Sequence, residues 1–231
     1  GLVGSEMCIR DRRVPMPQPL QTPSTDILQP LRHPPFRRLA ALFLLNGLAM
    51  AIAATLALFY IADVLQLESS SGIFLAIYFV SGALSLPLWL LFARRVNKTV
   101  LWLAGSIMAV AAFVWAVQLG AGDLVPYVIV CCLSGAALGA DLVMPSAIAA
   151  DIIPQRERGR TASYFGIWSL ISKAVLALSA GIALPLLAAF GYRPGGEAGL
   201  VELAVLYAGV PCVIKLLSAV LLLRWRSSLE I

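Results

Sequence analysis

The chain has 231 residues, 60% of them hydrophobic and 13% charged, with a formal net charge of +5 and one histidine. Such a composition excludes an ordinary soluble domain and indicates a polytopic membrane protein. The basic residues sit in short clusters between apolar runs, where orientation in a bilayer explains them, so no nucleic-acid partner is expected. With His33 alone, a histidine-based triad or metal site is not expected. The cysteines Cys8, Cys131, Cys132 and Cys212 lack metal-ligand spacing, and no resident cofactor is expected. The H-E-x-x-H and G-x-S-x-G patterns of intramembrane or hydrolytic enzymes do not occur, so the chain reads as a non-enzyme.

In chain order, Gly1 to Arg12 (GLVGSEMCIRDR) resembles a translated sequencing-adapter read-through and is set aside as non-native. The expectation is then a C-terminal fragment whose true start lies upstream. Residues 13–38 are polar and proline-rich and read as a cytoplasmic linker. Residues 39–226 read as a bundle of six apolar runs, each long enough to span. They cover about 39–64, 72–92, 100–119, 124–153, 161–190 and 201–223. Residues 227–231 remain as a cytoplasmic tail. The fold class is therefore all-α integral membrane protein, six transmembrane helices. Pro87, Pro145, Pro185 and Pro211 fall inside spans, where neighbours or water must satisfy the freed carbonyls; they suggest kinked helices around a cavity, with packing irregularity as the plainer reading.

The loops set the orientation. Arg37 and Arg38 precede the first span; Arg94, Arg95 and Lys98 follow the second; Arg156, Arg158 and Arg160 follow the fourth; Arg224 and Arg226 follow the sixth. The alternate loops carry Asp63, Glu68 and Asp123, then Arg193 with Glu197. The positive-inside rule places both ends of the chain in the cytoplasm; the membrane expected is a bacterial inner membrane. Tyr60, Tyr127, Tyr192 and Trp225 lie near span ends, as an aromatic belt would. Gly135 and Gly139 form a GxxxG that allows close helix approach.

Two spans carry a charge deep inside. Asp141 in the fourth and Lys173 in the fifth are equidistant from Glu157 in the connecting loop. At about 1.5 Å per residue each lies roughly 18 Å into its helix. A lone charge there costs about 2.5–3.5 kcal/mol, so matched depth predicts a pair or a water-lined cavity. The alternative is that the two residues only hold two helices together. Pro145 cannot donate to the carbonyl of Asp141, which adds an acceptor at that level.

On the fifth span, Trp168 and Ser172 are four apart, as are Ser169 and Lys173, which puts them on one side of a helix. Ser134 and Asp141, and Ser172 and Ser179, are seven apart. Hydroxyls, an indole, a carboxylate and an ammonium suit a polyhydroxylated solute. The plainer alternative is that Ser134 and Ser179 bond their own helix backbone and that Trp168 faces lipid or core. Lys215 lies about two turns from the end of the sixth span, where it is expected to snorkel or form a structural pair.

Beyond these patterns, Arg32-His-Pro-Pro-Phe-Arg-Arg38 resembles the lead-in to the seventh helix of glycoside–pentoside–hexuronide:cation symporters, the melibiose-carrier type within the major facilitator superfamily. Leu86-Pro-Leu-Trp89 with Ala93-Arg-Arg-Val96 is similar to that family's helix 8 and its basic loop. Gly139-Ala-Asp-Leu142, Ala150-Asp-Ile-Ile153, Tyr164-Phe-Gly-Ile-Trp168 and Ser172-Lys-Ala-Val175 resemble helices 10 and 11, and Lys215 matches a basic position in helix 12. The resemblance covers about residues 30 to 226. It implies the C-terminal six-helix half of a twelve-helix carrier that binds solute between its halves and works by alternating access.

By that resemblance Trp168, Ser169, Ser172 and Lys173 face a sugar or glycoside, with Asp141 approaching from helix 10. The coupling cation, sodium or proton, is expected in the missing N-terminal half. Partners are then the solute, the lipid bilayer and those six helices. The function expected is secondary active, cation-coupled sugar transport. An organic-anion or drug exporter of the same superfamily, or a non-transporting membrane sensor, stands as the alternative.

Overall fold

The computed structural model describes residues 29–154, 161–196 and 198–229. The adapter-like segment, most of the linker, the loop charges Arg156, Glu157, Arg158 and Arg160, and Glu197 lie outside the described residues. Among the described residues, six helices are long and apolar enough to cross a membrane: α1 (Pro34–Val64), α2 (Glu68–Phe92), α3 (Lys98–Ala116), α4 (Leu124–Ile152), α5 (Thr161–Ala189) and α6 (Leu200–Leu229). The described residues form an all-α integral membrane protein of six spanning helices.

Local chemistry sets several helix ends. Pro34 and Pro35 open α1, where a missing N–H costs nothing. The Asn97 side chain accepts from the Thr99 N–H at 2.8 Å and caps α3, as short polar side chains do at an N-cap. In α6 the turn Val205–Gly209 is π-helical, with Val210 N–H donating to the Val205 carbonyl. Pro211 follows directly and brings no N–H; the wider turn absorbs that loss before the helix resumes. A second π turn, Tyr60–Val64, ends α1.

Packing order differs from chain order. The principal neighbours of α4 are α2 and α3; α3 also packs on α6, and α6 on α1. α5 packs on α1 and on the short turn Gln29–Arg32. The consecutive helices α4 and α5 are thus not side-by-side partners over their length. Gly135 and Gly139 lie in the α2–α4 seam. A Cβ at Gly135 would stand 2.3 Å from the Tyr78 carbonyl oxygen, and one at Gly139 2.0 Å from Ser85 Oγ. The GxxxG is therefore a backbone-to-backbone contact here.

Each end of the bundle has its own ties. At the basic end Lys98 Nζ lies 2.5 Å from Asp151 Oδ2, and Arg38 on α1 donates to the Ser228 hydroxyl on α6. At the opposite end the Tyr192 hydroxyl and the Gly195 N–H both donate to Asp63. Tyr60 and Tyr127 are core residues rather than interfacial ones. Tyr60 stacks on Tyr207 with ring centroids 4.2 Å apart, and the Tyr127 and Tyr207 hydroxyls are 2.9 Å apart. The two π turns face each other there and carry Tyr60 and Tyr207 inward.

Candidate functional site

Four helices send one polar side chain each to a single buried point. Asp141 comes from α4, Lys215 from α6, Asn46 from α1 and Trp102 from α3. Lys215 Nζ donates to Asp141 Oδ2 at 2.7 Å and to Asn46 Oδ1 at 2.8 Å. Asn46 Nδ2 and Trp102 Nε1 donate to Asp141 Oδ1 at 2.8 Å and 3.1 Å. All four residues are at most 4% exposed. The carboxylate accepts three bonds of the about four it can take, and the ammonium makes two of its three. A charge pair at this depth persists only when its bonds are satisfied in this way.

The expected partnership of Asp141 with Lys173 is therefore corrected: Asp141 pairs with Lys215. Equal depth in two consecutive helices does not make them neighbours, and α5 packs on α1 rather than along α4. Snorkelling of Lys215 is also excluded. Its ammonium points inward, donating to Asp141 and Asn46, and the residue is 1% exposed. Asn46 and Trp102 escaped the sequence reading. Asn46 was visible as a polar residue inside an apolar span; Trp102 gave no signal, because a Trp in such a span is ordinary.

On α5 the expected residues separate. Trp168 is half-buried and stacks on Phe43 of α1, with ring centroids 3.9 Å apart. Ser172 Oγ donates to the Trp168 carbonyl at 3.0 Å, and Ser179 and Ser134 also bond their own helices. Ser169 and Lys173 are exposed. Lys173 makes no hydrogen bond or ion pair with any described residue. It sits twelve residues into an apolar helix, on a strip that also carries Gly166, Ala177 and Ala180, all exposed. α2 and α5 are the least buried spans, at 17% and 22%, against 39% to 56% for the other four. The bundle thus presents a face of small residues with one ammonium that has no partner among the described residues at membrane depth.

A cavity of about 160 Å³ lies beside the network. Asp141 and Lys215 reach its wall, together with Met50 and Ala54 of α1, Tyr78 of α2 and Cys131 of α4. Its lining is otherwise mainly apolar.

Comparison with known proteins agrees with this architecture. The model of the family described as "MFS/sugar transport protein" matches residues 11–227. The chain is also similar to the "Sodium-dependent lysophosphatidylcholine symporter 1-A" of Danio rerio, 24% identical over 169 residues, which is 71% of this chain and 32% of that protein. The chain spans about a third of the length of that relative. The matches are to transporters rather than enzymes. A buried charge network that ties four helices, an open polar face on a fifth and a family match over nearly the whole chain lead to one conclusion: the chain belongs to the MFS/sugar transport family.

Proposed function

We propose that the chain forms the C-terminal half of a secondary active transporter that carries a sugar or glycoside by cation-coupled symport, alternating access between its halves. One observation carries this reading, the exposed strip of α5 with Lys173. An unpaired ammonium cannot face hydrocarbon at that depth without a cost of about 2.5–3.5 kcal/mol. A water-filled path between two halves removes the cost and gives the ammonium a use. Ser169 lies on the same exposed strip, one turn away, and Trp168 and Ser172 lie round the helix toward α1. In this reading they meet the solute along α5, and Asp141 contributes from the cavity wall.

The coupling ion, sodium or proton, binds in the other half of the carrier. The protein sits in a bacterial inner membrane, with both ends of this chain cytoplasmic. The basic clusters at one end of the bundle support that orientation.

The test is uptake by the intact transporter of a panel of glycosides, pentoses and hexuronides, with and without a sodium or proton gradient. Gradient-dependent uptake that Lys173→Ala abolishes is the expected result. A well-expressed protein that moves none of the panel would overturn the sugar reading in favour of an exporter or a sensor.

A further inference from the structure

A cleft opens between α1 and α2. The two helices meet chiefly where the chain turns between them, at Tyr60–Val64 and Glu68–Ser70; elsewhere α2 packs on α4, and α1 on α5 and α6. The cavity of about 160 Å³ lies in the gap. It is half-open, with Ala54 and Leu58 of α1 and Phe79 of α2 exposed at its mouth. Deeper in, Phe74, Phe113 and Tyr127 supply aromatic walls. Phe74 and Tyr127 meet edge to face, with ring centroids 4.9 Å apart.

The floor of the cleft is the charge network. Asp141 and Lys215 both line the cavity. Lys215 uses two of its three N–H donors, on Asp141 and Asn46. Asp141 accepts three bonds, two of them at Oδ1. One donor and about one acceptor position therefore stay open, on adjacent groups whose charges cancel. Tyr78 of α2 lines the same cavity, and its hydroxyl makes no hydrogen bond with any described residue. A hydroxyl group matches this floor, because it accepts from the ammonium and donates to the carboxylate. A ligand carboxylate would be repelled by Asp141 and a ligand ammonium by Lys215. A wholly apolar guest would leave both open positions unmet. Water would satisfy the floor but not the aromatic walls.

We infer that the cleft is a binding site for a small neutral aromatic alcohol, a phenol or benzyl alcohol with a short apolar substituent. Its hydroxyl lies on the Asp141–Lys215 floor, and its ring lies against Phe74, Phe113 and Tyr127. A cavity of about 150 Å³ accepts a benzene ring, so the volume suits one ring. The ligand enters past Ala54, Leu58 and Phe79. Binding here is independent of the solute carried along α5.

The probe is benzyl alcohol carrying a para trifluoromethyl-diazirine, photolysed with the intact transporter in lipid nanodiscs and mapped by mass spectrometry. Adducts are expected on the α1 segment from Met50 to Ile61 and on Phe74, Tyr78 or Cys131. Benzyl alcohol removes them. Toluene, which lacks only the hydroxyl, is expected to compete about tenfold more weakly, the worth of one hydrogen bond to a charged group. Benzoate and benzylammonium are expected to compete no better than toluene. Ala54 is exposed at the mouth, so Ala54→Phe narrows the cleft without entering the core. It is expected to cut the cleft adducts and to leave those on the outward residues Leu84 and Leu176 unchanged. The competitor series gives its reading with no variant.

Equal protection by toluene would show an apolar seat that does not read a hydroxyl, and would overturn the inference. Protection by benzoate or benzylammonium in place of benzyl alcohol would overturn the neutral ligand. Adducts confined to Leu84, Leu176 and other outward residues, undiminished by benzyl alcohol, would overturn the site itself; a cleft that holds only water gives that result. Each of these outcomes leaves sugar transport to its own uptake test.

Discussion

The Lys215 ammonium lies 2.7 Å from the Asp141 carboxylate, with side chains 1% and 2% exposed, and so α6 and α4 are joined by a charge pair at the centre of the bundle. Asn46 bridges both partners from α1. Removing one partner strands the other, which costs about 3–5 kcal/mol for a buried pair. Lys215→Met and Asp141→Leu are each expected to lower thermal stability in nanodiscs by that order. The double variant should recover most of the loss, because two apolar side chains replace a satisfied pair at little cost. Unchanged melting of Lys215→Met would show that the pair does not hold the bundle.

The α2–α4 seam gives a second expectation. Gly135→Ala places a methyl carbon 2.3 Å from the Tyr78 backbone oxygen, a contact that backbone movement alone relieves. A loss of about 1–3 kcal/mol follows. Gly166→Ala on α5 meets nothing within 4 Å and should be neutral within about 0.5 kcal/mol. Thermal unfolding of the two variants, side by side, decides between a packed seam and a loose one.

Lys173 and Lys215 should behave oppositely. Lys173→Ala removes an exposed side chain with no partner among the described residues, so stability should stay within about 0.5 kcal/mol of the parent. Its uptake of solute should nonetheless be lost. Measuring melting and uptake on the same preparation separates the two effects; a Lys173→Ala protein that carries solute normally would remove α5 from the path.

Tyr192, in the connection between α5 and α6, supplies a pH-dependent tie. Burial first, and then its bond to Asp63, hold its phenol well above the ordinary value of 10.0. A folded pKa above the unfolded one means that the stabilisation is complete below about pH 10 and is lost as pH rises through the folded value. The parent should therefore lose thermal stability above about pH 10. Tyr192→Phe should start about 1.5 kcal/mol less stable at neutral pH and show a shallower alkaline decline. Equal alkaline slopes would place the titration elsewhere.

Much of this architecture is legible in the sequence, for physical reasons. Hydrocarbon tolerates few charges, so the spans and the depth of Asp141 can be read from residue order alone. The partner of Asp141 cannot. Depth is one-dimensional along each helix, whereas pairing depends on which helices are neighbours, and α4 touches α3 and α2 rather than leaning on α5. Lys215 is legible as a charge in an apolar run, but residue order does not distinguish a side chain that reaches for the interface from one that pairs across the bundle. On α5, four-residue spacing grouped Ser172 with Trp168 correctly. It could not show that the Ser172 hydroxyl is already engaged by its own backbone, or that Phe43 covers one face of the Trp168 ring. The cavity left no sequence signal, because its wall is built mainly of apolar residues from several helices.

The most direct test of the central claim is the water accessibility of α5 in the intact transporter. With the native cysteines replaced, Ser169→Cys, Lys173→Cys and Leu178→Cys would each be exposed to a membrane-impermeant cationic methanethiosulfonate. Leu178 is 48% exposed but points about 140° away from Lys173 on the helix. Rapid modification at 169 and 173, slowed by a transported sugar, with no reaction at 178, is the result expected of a solute path along this face. Lys173→Cys as inert as Leu178→Cys would contradict it, placing the α5 strip against protein or lipid and leaving the half without a path for its solute.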